Sequence, residues 1–185
     1  DPDSLLNASI FFDFRPLYGK AALADDLKQW LLARTSTTPR FLHQMAANAL
    51  RNRPPLGLVR DFVVESGGEN ADTLDLKLNG TTPFVDAARV FALATGVSAT
   101  NTAQRLRGAG AKLGIAQAEI EAWLAAFYFI QLLRLRAQHD ENEAGLEMDN
   151  RVNPDRLNDL DRRILKESFR QARKVQSRLA LDYQV

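Results

Sequence analysis

The sequence contains no cysteine and only two histidines, His43 and His139, among its 185 residues. A disulfide framework, a cysteine-based zinc site and a histidine-rich metal centre are thereby excluded, and the lack of thiols suits a reducing compartment. Nucleophile machinery is equally scarce. Neither histidine stands near a serine-containing elbow, and no His-Glu-x-x-His occurs, so an autonomous hydrolase is not expected. The apolar run Ala122 to Ile130 is far shorter than the roughly 20 residues that span a bilayer, and the acidic, proline-containing start is no signal peptide. These absences point to a cytoplasmic protein with no membrane partner. Charge of one sign is not in excess either: the net charge is +1 and the pI about 8.3, so no global field draws in nucleic acid.

What is present is enough for a core. With 45% apolar and 25% charged residues, the chain reads as one globular domain over 1–185, mainly α, a helical bundle. Because it opens at Asp1 rather than methionine, it is expected to be an excised piece of a longer protein.

The bundle should form around one helix from about 116 to 139. Ala122 to Ile130 is uninterrupted apolar or aromatic sequence, which predicts a helix covered nearly all round. Its charge is held back to the C-terminal end, where the polar Gln131 and the cationic Arg134 and Arg136 follow the apolar run. Before it, a first helix should end near Phe14, because Pro16 disfavours helical geometry at Arg15. A second helix is predicted over Ala21 to about Arg34, and a third from Pro39 to the Arg53-Pro54-Pro55 stop. Between 58 and 80 the period changes: Leu74, Leu76 and Leu78 alternate with polar residues, predicting a short β-hairpin or an extended segment. Pro83 opens a fourth helix. Asn101 and Thr102 cap a short fifth through Leu106, and Gly108, Gly110 and Gly114 should interrupt the chain beyond it. The acidic stretch 139–153 reads as a solvated loop. Asn158 with Asp161 then forms a capping box for a long last helix.

Two motifs that suggest ligands are better explained otherwise. Gly108 to Gly114 has one residue too many for a dinucleotide glycine loop and follows a helix rather than a strand. The last helix carries seven basic residues, from Arg162 to Arg178. The one aromatic within that run, Phe169, belongs to the apolar stripe of the helix rather than to the basic face, so a solvated face is favoured over single-strand nucleic-acid binding.

More informative are charges on helices that should be apolar. Asp86 and Arg89 sit among Phe84, Val85, Val90 and Phe91. Asn101, Thr102 and Arg105 begin a short helix, and Arg134 ends the central one. A buried charge must be paired or hydrogen-bonded, so these residues belong either to internal ion pairs or to an anionic ligand site. Asp13, Arg15 and Lys77 are candidates to join them.

At these residues the sequence resembles a known family. Asn7 to Pro16 with Gly19, Asn48 to Arg51 leading into Arg53 to Gly57, and Leu74 to Lys77 carry the resemblance. So do Val85 to Val90, Thr100 to Thr102 with Arg105-Leu106, Leu132 to Arg136, and Leu165 to Glu167. Together and in order they resemble the putative nucleotidyltransferase substrate-binding domain, the C-terminal part of bacterial signalling proteins that carry a nucleotidyltransferase domain, often with cyclic-nucleotide-binding and CBS modules. That family is similar in turn to the helical region of protein-PII uridylyltransferase. The resemblance implies a helical module beside a separate catalytic domain, recognising nucleotide or acceptor through Asp13, Arg15, Lys77, Asp86, Arg89, Asn101, Thr102, Arg105 and Arg134. Magnesium and a nucleoside triphosphate are implied for the parent enzyme, with no cofactor and no activity in this fragment alone. Asp159-Leu160-Asp161 lacks the Gly-Ser turn that precedes a catalytic Asp-x-Asp pair, and reads as capping. The implied partner is the catalytic domain of the same chain. A protein acceptor and a second copy of this chain are further partners to test, and Phe11, Phe12, Phe14 and Leu17 are candidates for an apolar patch that docks the catalytic core, a protein partner or a second copy.

Overall fold

The structure is a computed structural model that describes residues 11–57 and 61–185. The first predicted helix falls almost wholly outside the described residues. From Phe11 onward there is one last helical position, a turn at 12–13 and no regular structure from 14 to 16.

Six α-helices are described: α1 (Ala21–Ser36), α2 (Pro39–Ala49), α3 (Thr82–Thr95), α4 (Thr102–Lys112), α5 (Gln117–Glu143) and α6 (Asp159–Tyr183). Two-residue strands β1 (Leu74–Asp75) and β2 (Arg151–Val152) pair antiparallel. The fold is mainly α. No helix among the described residues is long and apolar enough to cross a membrane. The chain separates into two compact units: one of Asp1–Arg51, Val85–Ile120 and Arg178–Val185, the other of Asn52–Phe84 and Glu121–Ser177.

In the first unit, Leu42, Met45 and Ala46 of α2, Ala87, Ala88 and Phe91 of α3, and Leu106 and Ala109 of α4 are buried. Local chemistry sets where these helices begin and end. Pro39 occupies the first turn of α2, where its missing N–H costs nothing. The Asn101 side chain accepts hydrogen bonds from the Ala103 and Gln104 N–H groups and starts α4. Gly96, at φ +67°, closes α3 in the left-handed region, and the Val97 N–H returns to the Ala92 carbonyl at 2.9 Å. That closure turns Val97 to Ala99 back along the helix end.

The glycines after Leu106 do not end α4, which runs to Lys112. A Cβ on Gly110 would lie 2.5 Å from Ile120 Cδ1. Close packing requires glycine there and outweighs its poor helix propensity.

In the second unit, Phe84 packs edge-on against Phe127, and Phe62 against Phe169, at 6.1 and 5.9 Å between ring centroids. The expected extended segment exists only as β1. Its partner is β2, far along the chain, rather than a neighbouring strand of a hairpin. Leu76–Thr81 instead forms a π-helical stretch, begun by the Asp75 carboxylate accepting from the Leu78 N–H at 2.7 Å. Gly80 sits where a Cβ would come 2.8 Å from Ile130 Cγ2, so the leucine alternation yields to a close backbone approach. The central helix also differs from expectation. Trp123, Leu124, Phe127, Ile130 and Leu133 are buried, but Tyr128, Leu132 and Leu135 are exposed on one face. Its apolar run is continuous and mostly covered, yet a stripe through Ala125 and Tyr128 is left open. The acidic stretch is partly helical, since α5 continues to Glu143, and Glu141 accepts from the Asp149 N–H beyond it. Asn158 caps α6 as expected, accepting from the Asp161 N–H at Oδ1 at 2.9 Å, while Asp161 Oδ2 accepts from the Asn158 side-chain Nδ2 at 2.8 Å rather than from the backbone N–H of a full capping box.

Candidate functional site

Four of the predicted residues meet in the first unit. Asp86 and Arg89, one turn apart on α3, pair through Arg89 Nη1 donating to Asp86 Oδ1 at 2.9 Å. Arg89 Nη2 donates to Asp13 Oδ2 at 2.7 Å. From α4, Arg105 Nη2 stands 2.6 Å from Asp13 Oδ1. The same Nη2 also donates to the Phe12 carbonyl at 3.2 Å. Arg105 Nε donates to the Ala99 carbonyl at 2.7 Å, which locks the guanidinium against the turn after α3. One carboxylate thus bridges two guanidinium groups carried by different helices.

Burial grades across the cluster. The Arg105 side chain is 5% exposed, Arg89 11%, Asp86 22% and Asp13 36%. Burial alone would push the Asp13 carboxyl up, but the hydrogen bond and charge of Arg89, with the charge of Arg105, hold it below the usual carboxylate range. Asp86 goes the other way: its burial outweighs Arg89, and the Asp13 charge adds to the rise. Arg105 is pushed down by burial and by Arg89, against the pull of Asp13.

Beside Arg105, the only member of the cluster that lines it, lies a narrow cleft formed by Phe12, Phe14, Lys28, Leu31, Leu93 and Val97, among others, with about 10 Å³ left free. That is room for about one water. Lys28 stands over the Phe14 ring at 5.4 Å, and Phe12 packs against Phe41 at 5.7 Å.

The other predicted residues have different places. Asn101 is spent on the α4 cap and Thr102 is the first residue of that helix. Arg15 is exposed and makes no ion pair among the described residues. Lys77 and Arg134 belong to the second unit. Lys77 is exposed on the π-helical stretch, and Arg134 is half-buried on α5 without an ion pair among the described residues. Sequence reasoning missed the Phe12 and Ala99 carbonyls and the α1 side chains of the cleft. A carbonyl acceptor leaves no trace in residue identity. Lys28, however, follows Ala24 and precedes Leu31, Leu32 and Thr35 on one helical face, a signal that was available.

No group of three or more acidic, histidine or cysteine side chains able to hold a metal occurs among the described residues. Asp161 is engaged with Asn158 and lies 3.6 Å from Arg136, so the Asp159 to Asp161 pair does not fit magnesium. The cationic face of α6 is largely satisfied within its own units. Arg162 and Lys166 pair with Asp61, Arg170 with Glu167 and Arg178 with Asp182.

A family model described as "Putative nucleotidyltransferase substrate binding domain" matches residues 39–183. The chain belongs to that family. Searches of curated proteins and of solved structures found no match. The family range contains Asp86, Arg89 and Arg105, whereas Asp13 and the aromatic residues beside it precede it.

Proposed function

We propose that this chain is a non-catalytic recognition module of a bacterial nucleotidyltransferase-like signalling protein. Arg89 and Arg105 contact the anionic part of a nucleotide or acceptor beside a separate catalytic domain, where magnesium and the nucleoside triphosphate are bound. The protein would work in the cytoplasm. The observation that carries this reading is the pair of buried guanidinium groups converging on one carboxylate in a family described by substrate binding. Two such groups are costly to bury for structure alone, and an apolar pair of similar volume is often as stable. Arginine also suits this role, because its planar fork matches the oxygens of carboxylate and phosphate.

Calorimetry with nucleoside triphosphates, on the longer protein that includes the catalytic domain, tests the reading. Arg89→Met and Arg105→Met are expected to weaken binding at least tenfold, while Arg134→Met has a smaller effect. Unchanged affinity in both of the first two variants would sink the assignment.

A second reading, a docking or dimerisation module with no small-molecule site, is favoured by a different observation. Leu23, Leu27 and Trp30 are exposed on α1 at helical spacing, and Leu17 and Tyr18 precede them, also exposed. Phe11 is exposed as well, although Phe12 and Phe14 are drawn into the cleft. A strictly monomeric mass by light scattering, with Trp30 fluorescence unmoved by the separated catalytic domain, would count against it.

A further inference from the structure

In the Arg89 and Arg105 cluster the cations are the deepest groups and the anion that satisfies them is the shallowest. Arg105 is anchored twice, by the Ala99 carbonyl and by its own helix. Asp13 sits on a segment with no helical or strand pairing from residue 12 to 16. Among the described residues of the family range, the only carboxylate paired with these arginines is that of Asp86, which reaches Arg89 alone. Removing Asp13 therefore leaves Arg105 buried without an anionic partner among the described residues. A buried, unpaired guanidinium is strongly unfavourable, so the position demands an oxyanion. The flanking Phe12 and Phe14 are walls of the cleft beside Arg105, in which about 10 Å³ is free, so moving this segment would widen it.

We propose that Arg89 and Arg105 form an oxyanion receptor that the chain's own Asp13 occupies as a latch, and that a phosphate-bearing ligand enters only by displacing the Phe12-Asp13-Phe14 segment. This rests on the recognition reading above and adds the regulation of that site. The exchange conserves the ion pairs, since one oxyanion leaves as another arrives, and it opens the apolar cleft for the rest of the ligand. A tethered group acts at an effective concentration of roughly millimolar. A singly charged competitor below that level loses to Asp13, whereas a di- or triphosphate, which brings more charge and more acceptors, can win.

The test is titration of inorganic pyrophosphate into the 185-residue chain and its variants, followed by calorimetry. Asp13→Asn is expected to bind at least tenfold more tightly than wild type, and Asp13→Asn with Arg105→Met to lose that gain. Equal affinity of wild type and Asp13→Asn would overturn the latch and leave the receptor standing. Absence of binding in a cooperatively melting Asp13→Asn chain would overturn the receptor and the recognition reading with it. Should Asp13→Asn fail to fold, hydrogen exchange on wild type decides. Millimolar pyrophosphate should speed exchange at the amides of residues 12–14 at least threefold, and unchanged exchange there would overturn the proposal.

Discussion

Each unit holds one aspartate between two cations, and the two clusters differ in depth. In the first unit Asp13 bridges Arg89 and Arg105, which are 11% and 5% exposed. In the second, Asp61 meets Lys166 and Arg162, each 33% exposed, and Arg162 also stacks over Phe62. Both aspartates are held below the usual carboxylate range, for reasons of different weight. For Asp61 the hydrogen bond from Lys166 leads. For Asp13 burial is the largest influence and opposes ionisation, so the two arginines must overcome it. The same constellation is a solvated surface pair in one place and an electrostatic commitment in the other. Charge pattern alone does not identify a site; charge pattern with burial does.

The comparison breaks most readily at its deepest residue. Arg105→Met should cost about 3 kcal/mol in denaturant unfolding, the low end for a broken buried pair because Asp13 keeps some solvent. Next comes the seat of the helix that carries Arg105. Gly110→Ala forces a Cβ to 2.5 Å from Ile120 Cδ1. It should destabilise by about 1–2 kcal/mol, since overpacking exceeds the gain in helix propensity.

A pH series separates the two carboxylates of the buried cluster. Asp13 has a folded pKa below its ordinary 3.8, so its contribution is present above 3.8 and is lost as pH falls through the lower folded value. Asp86 is raised above 3.8. The folded state therefore holds more protons than the unfolded one, and the Asp86 contribution is present below 3.8 and lost as pH rises through the higher folded value. Asp86→Asn should flatten the fall in stability on the upper side of 3.8 and leave the acid limb intact. An unaltered profile in urea melts across that range would contradict the burial of Asp86. Smallest of all is Asp61→Asn, whose shift in melting temperature should be less than that of any of these variants, and should vanish in high salt.

Much of this architecture was legible because it depends on local chemistry. Pro39, Asn101 and Asn158 start their helices where their side chains require it. Asp86 and Arg89 stood out as charges within apolar sequence, and they do lie in one network with Asp13. What could not be read depends on partners distant in the chain. The Leu74, Leu76, Leu78 alternation gave way to a π-helical stretch because Gly80 must approach Ile130, and β1 finds its partner in β2. α4 passes through Gly108 and Gly110 because Val97 packs closely at the first and Ile120 packs where a side chain would be at the second. The uncovered face of α5 has the same origin, since composition shows what can be buried and not what arrives to cover it. In the site itself, Lys77 and Arg134 share the charge character of Arg89 and Arg105 without sharing their unit.

Chemical rescue tests the oxyanion receptor most directly, by removing the carboxylate from each cluster and supplying it from solution. Asp13→Ala and Asp61→Ala chains would be melted in chloride, acetate and phosphate at matched ionic strength. Acetate and phosphate should raise the melting temperature of Asp13→Ala relative to chloride by several degrees more than that of Asp61→Ala, and Arg105→Met in the same background should abolish the rise. Equal responses of the two variants to all three anions would contradict the receptor.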